Sequence, residues 1–279
     1  MKVSPRKALC VLNKVNPSAT SPPVWNHWNM NMHPFFRKGK MLAKRVLFPG
    51  LDLHTRCRYK FLPDFFIDGD IETLDAGCGN GALSLAAYNK GNRVLGVSYV
   101  KREVEDTGQL FDSMGIPRER LELIEMNLYK LNTIERKFDQ IICSETLEHI
   151  KRHEKIVESF AAMLRPGGRL VLCCPYAPHP ENALGRIDVP EDGGHVRDGY
   201  TLESYSSLLE PAGFRIVQHA GLGSPLLCKL DWVLRNVRIR VGDLWSMPLF
   251  AILMPFTVLD YFNPRIPFSL MVVAEKAKS

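Results

Sequence analysis

At 279 residues, 46% hydrophobic and 24% charged, the chain has the composition of a folded globular protein long enough for one decorated α/β domain, which excludes disorder, collagen-like repeats and coiled coil as descriptions of the whole. Its 36 basic and 30 acidic residues leave a net charge of +6, too small and too dispersed for a dedicated nucleic-acid binder. Seven cysteines in no CxxC pair and no metal-ligand spacing read as free thiols in a reducing compartment, so a cytoplasmic location is expected.

Residues 1–35 carry Pro17, Pro22, Pro23 and Pro34 among Asn and Ser and are expected to be largely irregular. The apolar run Ala8 to Leu12 is too short for a signal-peptide core, so no secretion is expected. From about 37 to 66, apolar residues at helical spacing, broken by Pro49-Gly50, predict two helices joined by a turn. Strands over Ile71 to Ala76, Arg93 to Val97, Leu121 to Met126, Phe138 to Cys143 and Arg169 to Cys174 then alternate with helices over Ala82 to Tyr88, Lys101 to Met114 and Lys151 to Leu164. That alternation implies right-handed βαβ units and a doubly wound α/β sheet with helices on both faces. A helix over Thr201 to Glu210, capped by Thr201, precedes a strand over Phe214 to His219, and a last strand spans Ser269 to Glu275.

The stretch between those last two strands is far longer than a hairpin loop and reads as an insertion. The chain therefore divides into an N-terminal helical arm (1–66), a Rossmann-like core (67–220), a helical cap (221–267) and the last core strand (268–279). The cap holds a basic run, Arg235 to Arg240, and an apolar run, Met247 to Leu259, whose 13 residues are too few to span a bilayer. Two readings stand: a lid helix buried against the core, and an in-plane contact of residues 235–260 with anionic lipid that would make the protein peripheral at a membrane.

The segment Leu74-Asp75-Ala76-Gly77-Cys78-Gly79-Asn80-Gly81 falls where a predicted strand ends and a helix begins. Glycines there permit positive φ and close backbone approach, and the helix start offers unpaired N–H groups to a polar ligand. The stretch also satisfies the dinucleotide pattern GxGxxG/A, which leaves an NAD-binding oxidoreductase as an alternative. A carboxylate two residues before the first glycine opposes a pyrophosphate, however. Asp75 suits a cation such as the sulfonium and ammonium of S-adenosylmethionine.

On these residues, with Phe138 to Ile150 (FDQIICSETLEHI), Leu164 to Leu170 (LRPGGRL), Gly194 to Tyr200 (GHVRDGY) and Ala212-Gly213-Phe214 in order, the chain resembles the class I S-adenosylmethionine-dependent methyltransferases. The resemblance implies a seven-stranded, mostly parallel sheet of order 3-2-1-4-5-7-6 with the last strand antiparallel. It implies that Gly77, Cys78 and Gly79 meet the methionine part through backbone atoms and that Asp75 holds the amino group. At the end of the second strand, where the family commonly carries a ribose-binding acid, stands Ser98, with Tyr99 placed to cover the adenosine. Asn127 stands where an aspartate often meets the adenine amino group, Leu128 would pack on the base, and Ser144 and Glu145 follow the fourth strand at its ligand-binding end.

Methyl transfer is an in-line displacement that positioning largely drives, and a base helps when the acceptor is a hydroxyl. His149 and His195 are the catalytic candidates, while His153 and His179 read as surface residues, and no metal ligands are expected. The expected acceptor is a small molecule, a lipid-linked compound or a saccharide, since the basic clusters lack interleaved stacking aromatics for nucleic acid. A non-catalytic S-adenosylmethionine-binding module is the remaining alternative.

Overall fold

The structure, a computed structural model, describes residues 42–184, 190–260 and 264–277. Expectations for the irregular arm and for residues 37–41 of the first helical stretch lie outside the described residues.

Each apolar run becomes a strand, bounded within two residues of the expected span for all but two. The strands are β1 (Glu72–Ala76), β2 (Arg93–Ser98), β3 (Leu121–Glu125), β4 (Phe138–Ser144), β5 (Leu164–Pro175), β6 (Phe214–Leu222) and β7 (Ser269–Lys276). Around them pack helices α1 (Leu53–Phe61), α2 (Ala82–Asn89), α3 (Lys101–Ser113), α4 (His153–Met163), α5 (Leu202–Leu209) and α6 (Pro225–Leu253). The strands form one sheet of order β3-β2-β1-β4-β5-β7-β6, parallel except for β7, which runs antiparallel to both β5 and β6.

Alternate residues of each strand enter opposite cores, as the two-residue side-chain period requires. Leu74, Leu95, Ile141 and Leu172 join Phe160 and Tyr205 under α4 and α5. On the other face Val94, Ile142, Val171 and Met271 meet Leu85, Phe111, Leu53 and Leu234 under α1, α2, α3 and α6. Both faces are covered, which is why the strands read as nearly unbroken apolar runs. All six described cysteines are free and buried in these layers, and burial pushes their thiols up, Cys57 to about 12.

Two elements depart from expectation. Pro166-Gly167-Gly168 does not separate a helix from a strand but lies inside β5, because Leu164 already pairs with Phe138 and a register shift between Phe138 and Gln140 takes up the extra residues. The other is the insertion. It folds into α6, capped by Ser224, whose Oγ accepts from Leu227 N, then a 3-10 turn over Met254–Leu259. α6 breaks at Gly242 (φ 81°, ψ 170°). Leu227, Asp231, Leu234 and Phe250 face inward, but Ile252, Met254 and Phe256 are exposed. Within the apolar run Phe250 is buried and Met247, Leu249 and Leu253 pack partly against the core, so both inward and outward sides of the run carry apolar residues.

Candidate functional site

Parallel pairing sets the carboxyl ends of five strands side by side, Ala76 opposite Val97, Ser98 opposite Glu125 and Ser144 opposite Cys173. Chain leaving these ends must turn sharply, and the glycine loop does so with φ of 89° at Gly77, 49° at Gly79 and 73° at Gly81. At Gly77 a second constraint applies: a Cβ there would run into the Thr146 side chain. The loop is pinned to β2 by Gly77 N and Cys78 N, both donating to Val97 O at 2.9 Å. Those amides are therefore spent, which leaves the Gly77 carbonyl and the Gly79 N–H for a ligand. Asn80 closes the loop, its Oδ1 accepting from Ala82 N (3.1 Å) and its Nδ2 donating to Pro49 O (2.7 Å).

Asp75 lies beneath the loop, buried, and accepts from Ser84 Oγ of α2 at 2.6 Å. Burial raises its pKa to about 6, against the lowering effect of the Ser84 bonds. A cation bound at the loop favours the ionised carboxylate, so binding lowers this pKa, and affinity must be full above about 6 and lost below it. We expect S-adenosylmethionine affinity to be flat from neutral pH down to about pH 6 and then to fall by up to about tenfold per pH unit. Calorimetric titration across that range checks this, and a curve that stays flat to pH 5 removes Asp75 from the ammonium site.

Ser98, expected to meet the ribose, has its hydroxyl engaged within the protein. Its hydroxyl donates to Glu103 Oε2 (2.8 Å) and accepts from Val100 N (3.1 Å). Glu103, in the first turn of α3, thus brings an acid to the end of β2 from five residues downstream. Sequence reasoning looked for that acid only at the strand end. Tyr99 is highly exposed beside it. Asn127 caps the 3-10 turn over Leu128–Thr133, its Oδ1 accepting from Tyr129 N at 2.9 Å, so one lone pair is already used. Leu128 is buried against the core.

Beyond β4 the chain is strained. Glu145 is the sole non-glycine with positive φ (51°) among the described residues. It is held by Arg58 Nη1 of α1 at 3.4 Å, by Ser269 Oγ of β7 at 3.1 Å, and by its own N–H on Cys173 O at 2.7 Å. Burial alone would lower the pKa of Arg58, but Glu145 and Asp52 outweigh it and keep the guanidinium charged. Ser144 Oγ is buried without a hydrogen-bond partner among the described residues.

Three residues past Glu145, Glu148 is fully buried, and among the described residues neither carboxylate oxygen has a partner at good hydrogen-bond geometry. Burial, then the Glu145 charge, push its pKa well above the ordinary carboxylate value. His149 Nε2 lies 3.8 Å from Glu148 Oε1. The His195 ring crosses that of His149 edge-on at 4.7 Å between centroids, and burial, then His149, lower its pKa to about 4. The Gly194 to Tyr200 loop delivers His195 because it is tied at both sides: Val196 N to Glu148 O (2.8 Å), Arg197 Nη2 to Ile150 O (2.6 Å), Tyr200 N to Pro175 O (2.8 Å). Glu148, His149 and His195 offer three ligand atoms within 4.8 Å of one another, a group that could hold a metal ion and that sequence spacing did not reveal. His153 and His179, expected at the surface, are largely covered. His153 bonds Tyr200 Oη (2.7 Å) and Arg197 Nη1 (2.9 Å), and His179 packs edge-on against Phe268 at 5.4 Å.

A family model described as a methyltransferase domain matches residues 52–219. Among curated proteins the chain is similar to an S-adenosyl-L-methionine-dependent Diels-Alderase of Talaromyces variabilis, 28% identical over 168 residues that cover 55% of this chain and 56% of the other. It is similar to the mitochondrial ubiquinone biosynthesis O-methyltransferase of Mus musculus, 26% identical over 166 residues covering 54% and 43%. The chain spans about half the length of these curated relatives. Among solved structures, an S-adenosylmethionine dependent methyltransferase from Mesorhizobium loti superposes with a TM-score of 0.51 at 19% identity, covering 79% of this chain and 98% of that one, a likeness of fold. The dinucleotide reading of the glycine loop falls with these matches. Since the family model runs over more than half of the chain and the loop, strand order and antiparallel last strand agree with it, the chain belongs to the methyltransferase domain family, among the class I S-adenosylmethionine-dependent methyltransferases.

Proposed function

We propose that the protein moves a methyl group from S-adenosylmethionine to a hydroxyl of a small, apolar or lipid-borne acceptor, with His149 receiving the acceptor's proton. The methyl carbon leaves sulfur as it bonds to the acceptor oxygen, the sulfonium becomes a neutral thioether, and the proton passes to the imidazole. The observation that carries this reading is the placement of His149. It stands at the carboxyl end of β4, three residues past the threonine that closes over Gly77, and is braced by His195 and Glu148. His195, with its pKa near 4, stays neutral at physiological pH and orients its neighbour without adding charge.

For the cofactor, Asp75 serves the amino group, the Gly77 carbonyl and Gly79 N–H serve the methionine backbone, Glu103 with Ser98 serves the ribose, and Tyr99, Asn127 and Leu128 serve the adenine. Incubating a cell extract with enzyme and deuteromethyl-labelled cofactor tests the reading. Label in an acceptor together with S-adenosylhomocysteine supports it. An extract product that carries no label and forms with the cofactor unconsumed would place the chain with its Diels-Alderase relative instead.

A second reading has its own observation, the unpartnered Glu148 oxygens facing two imidazoles. A divalent cation held by Glu148, His149 and His195 would satisfy those oxygens and acidify the acceptor hydroxyl directly. Chelation separates the two. A histidine base keeps full turnover after dialysis against a strong chelator, whereas a cation site loses it and regains it on adding back the metal.

A further inference from the structure

We propose that α6 and the turn after it form a membrane-docking surface that lies in the plane of an anionic bilayer. This docking does not depend on the methyl-transfer reading, since it uses a different face of the molecule.

Residues 225–257 are long and apolar enough to cross a bilayer by length and composition, yet only 11% of their most apolar stretch is buried inside the protein. Their outward side exposes Ile239 (77%), Trp245 (75%), Leu244 (69%), Ile252 (63%) and Trp232 (59%), with Phe256 beyond. Single exposed apolar residues are ordinary, but this many large ones on one element, on both sides of its break at Gly242, mark a contact surface.

Charge selects lipid as the occupant. The stretch contains two acids, and both are turned inward: Asp231 accepts from Leu53 N (3.4 Å) and Arg235 Nη2 (2.8 Å), and Asp243 accepts from Arg238 Nε (2.9 Å). The outward charges are therefore cationic, Lys229 and Arg240 standing exposed among the apolar side chains. Tryptophan beside lysine and arginine is the composition of an interfacial helix, with rings at headgroup level and cations on phosphate. A second copy of this chain would bring the same positive face against itself, so a symmetric dimer is disfavoured.

Geometry excludes a spanning arrangement. The opposite side of α6 is packed on the core through Leu227, Leu234 and Phe250, and the helix breaks at Gly242. This break lets the segments on either side follow one flat surface. The inner side also reaches the candidate site. His54 of α1 lies 3.9 Å from Asp231, Arg56 of α1 sits over the Phe250 ring at 4.8 Å, and Arg58 of the same helix pairs with Glu145. The docking helix is thus one helix away from the mouth of the cofactor site, where a lipid-borne acceptor would enter.

Flotation of the full chain with vesicles tests the proposal. It should rise with phosphatidylcholine vesicles containing phosphatidylglycerol at low salt and stay at the bottom with pure phosphatidylcholine. Brominated lipid should quench the fluorescence of the wild-type protein more than that of Trp245→Phe. The pair Leu244→Ser/Trp245→Ser should lower vesicle binding at least tenfold, and Lys229→Gln/Arg240→Gln should lower it and flatten its salt dependence. Both pairs should leave S-adenosylhomocysteine affinity unchanged, which shows that they fold and that failure of docking is distinct from failure of the cofactor site. No flotation with anionic vesicles overturns the proposal. So does a concentration-dependent dimer, without vesicle binding, that Trp245→Ser dissolves, which would assign the face to a second copy.

Discussion

Gly77→Ala is expected to weaken S-adenosylmethionine binding about a hundredfold and to lower the melting temperature of the ligand-free protein. Two costs combine at this position. A φ of 89° is adverse for an L-residue, by roughly 1–2 kcal/mol, and the new Cβ enters the space of the Thr146 side chain, so either the loop or the segment after β4 must move. If the loop leaves its place by even part of an ångström, the Gly77 carbonyl and Gly79 N–H no longer face one ligand position. Gly79→Ala is the control. Its φ is also positive, at 49°, but an added Cβ meets nothing within 4 Å, so the apo protein should lose only the smaller backbone cost. The double variant Gly77→Ala/Thr146→Ala should recover the collision part and not the backbone part. Equal melting temperatures for the two alanine variants would sink the argument that Thr146 defines the loop.

The second large effect is expected at His149. With His149→Gln, turnover should fall by about 10²- to 10⁴-fold, the range for removing a general base, while the affinity for S-adenosylmethionine stays within about twofold. The glutamine keeps a polar group of similar reach next to Glu148 and His195, so a drop in kcat without a change in cofactor affinity isolates proton transfer from folding. His195→Gln should cost less, because that ring touches His149 and acts through its orientation. Unchanged turnover in His149→Gln would mean that positioning alone drives the transfer.

Much of the fold was legible because glycine and proline punctuate it: the strand ending at Ala76 and the three glycines after it have one conformational meaning in combination. Sheet order was different. No periodicity places β7 between β5 and β6; the resemblance supplied that, and the pairing of Val171 with Val273 and of His219 with Val272 bears it out. Within the site, the loop residues, Ser98, Asn127, Ser144 and Glu145 stand at the carboxyl ends of their strands, where local spacing puts them. Thr146, Arg58 and Glu103 escaped notice because each meets the site from another element, and the tertiary register that brings them there leaves no local trace. Arg58 sits in a basic helix that looks like a solvated face, and only the fold reveals the carboxylate opposite it. The outward face of α6 was hidden for the opposite reason. When apolar residues occur on all sides of a helix, sequence cannot tell which side the core will use.

The place of β7 has a further consequence, for synthesis. The strand made last of the seven goes into the middle of one half of the sheet, and β6 is hydrogen-bonded to it alone. While the chain is emerging, β6 has no strand to pair with, α6 has only part of its layer beneath it, and β5 presents an open edge. Glu145 likewise waits for Ser269. The cofactor loop is complete long before the far wall of the site, so the nascent protein passes through a stage in which β6 is unpaired and the edge of β5 is open. A ribosome-bound chain halted before residue 269 should therefore hold chaperones, or a membrane, until release of the final strand closes the sheet.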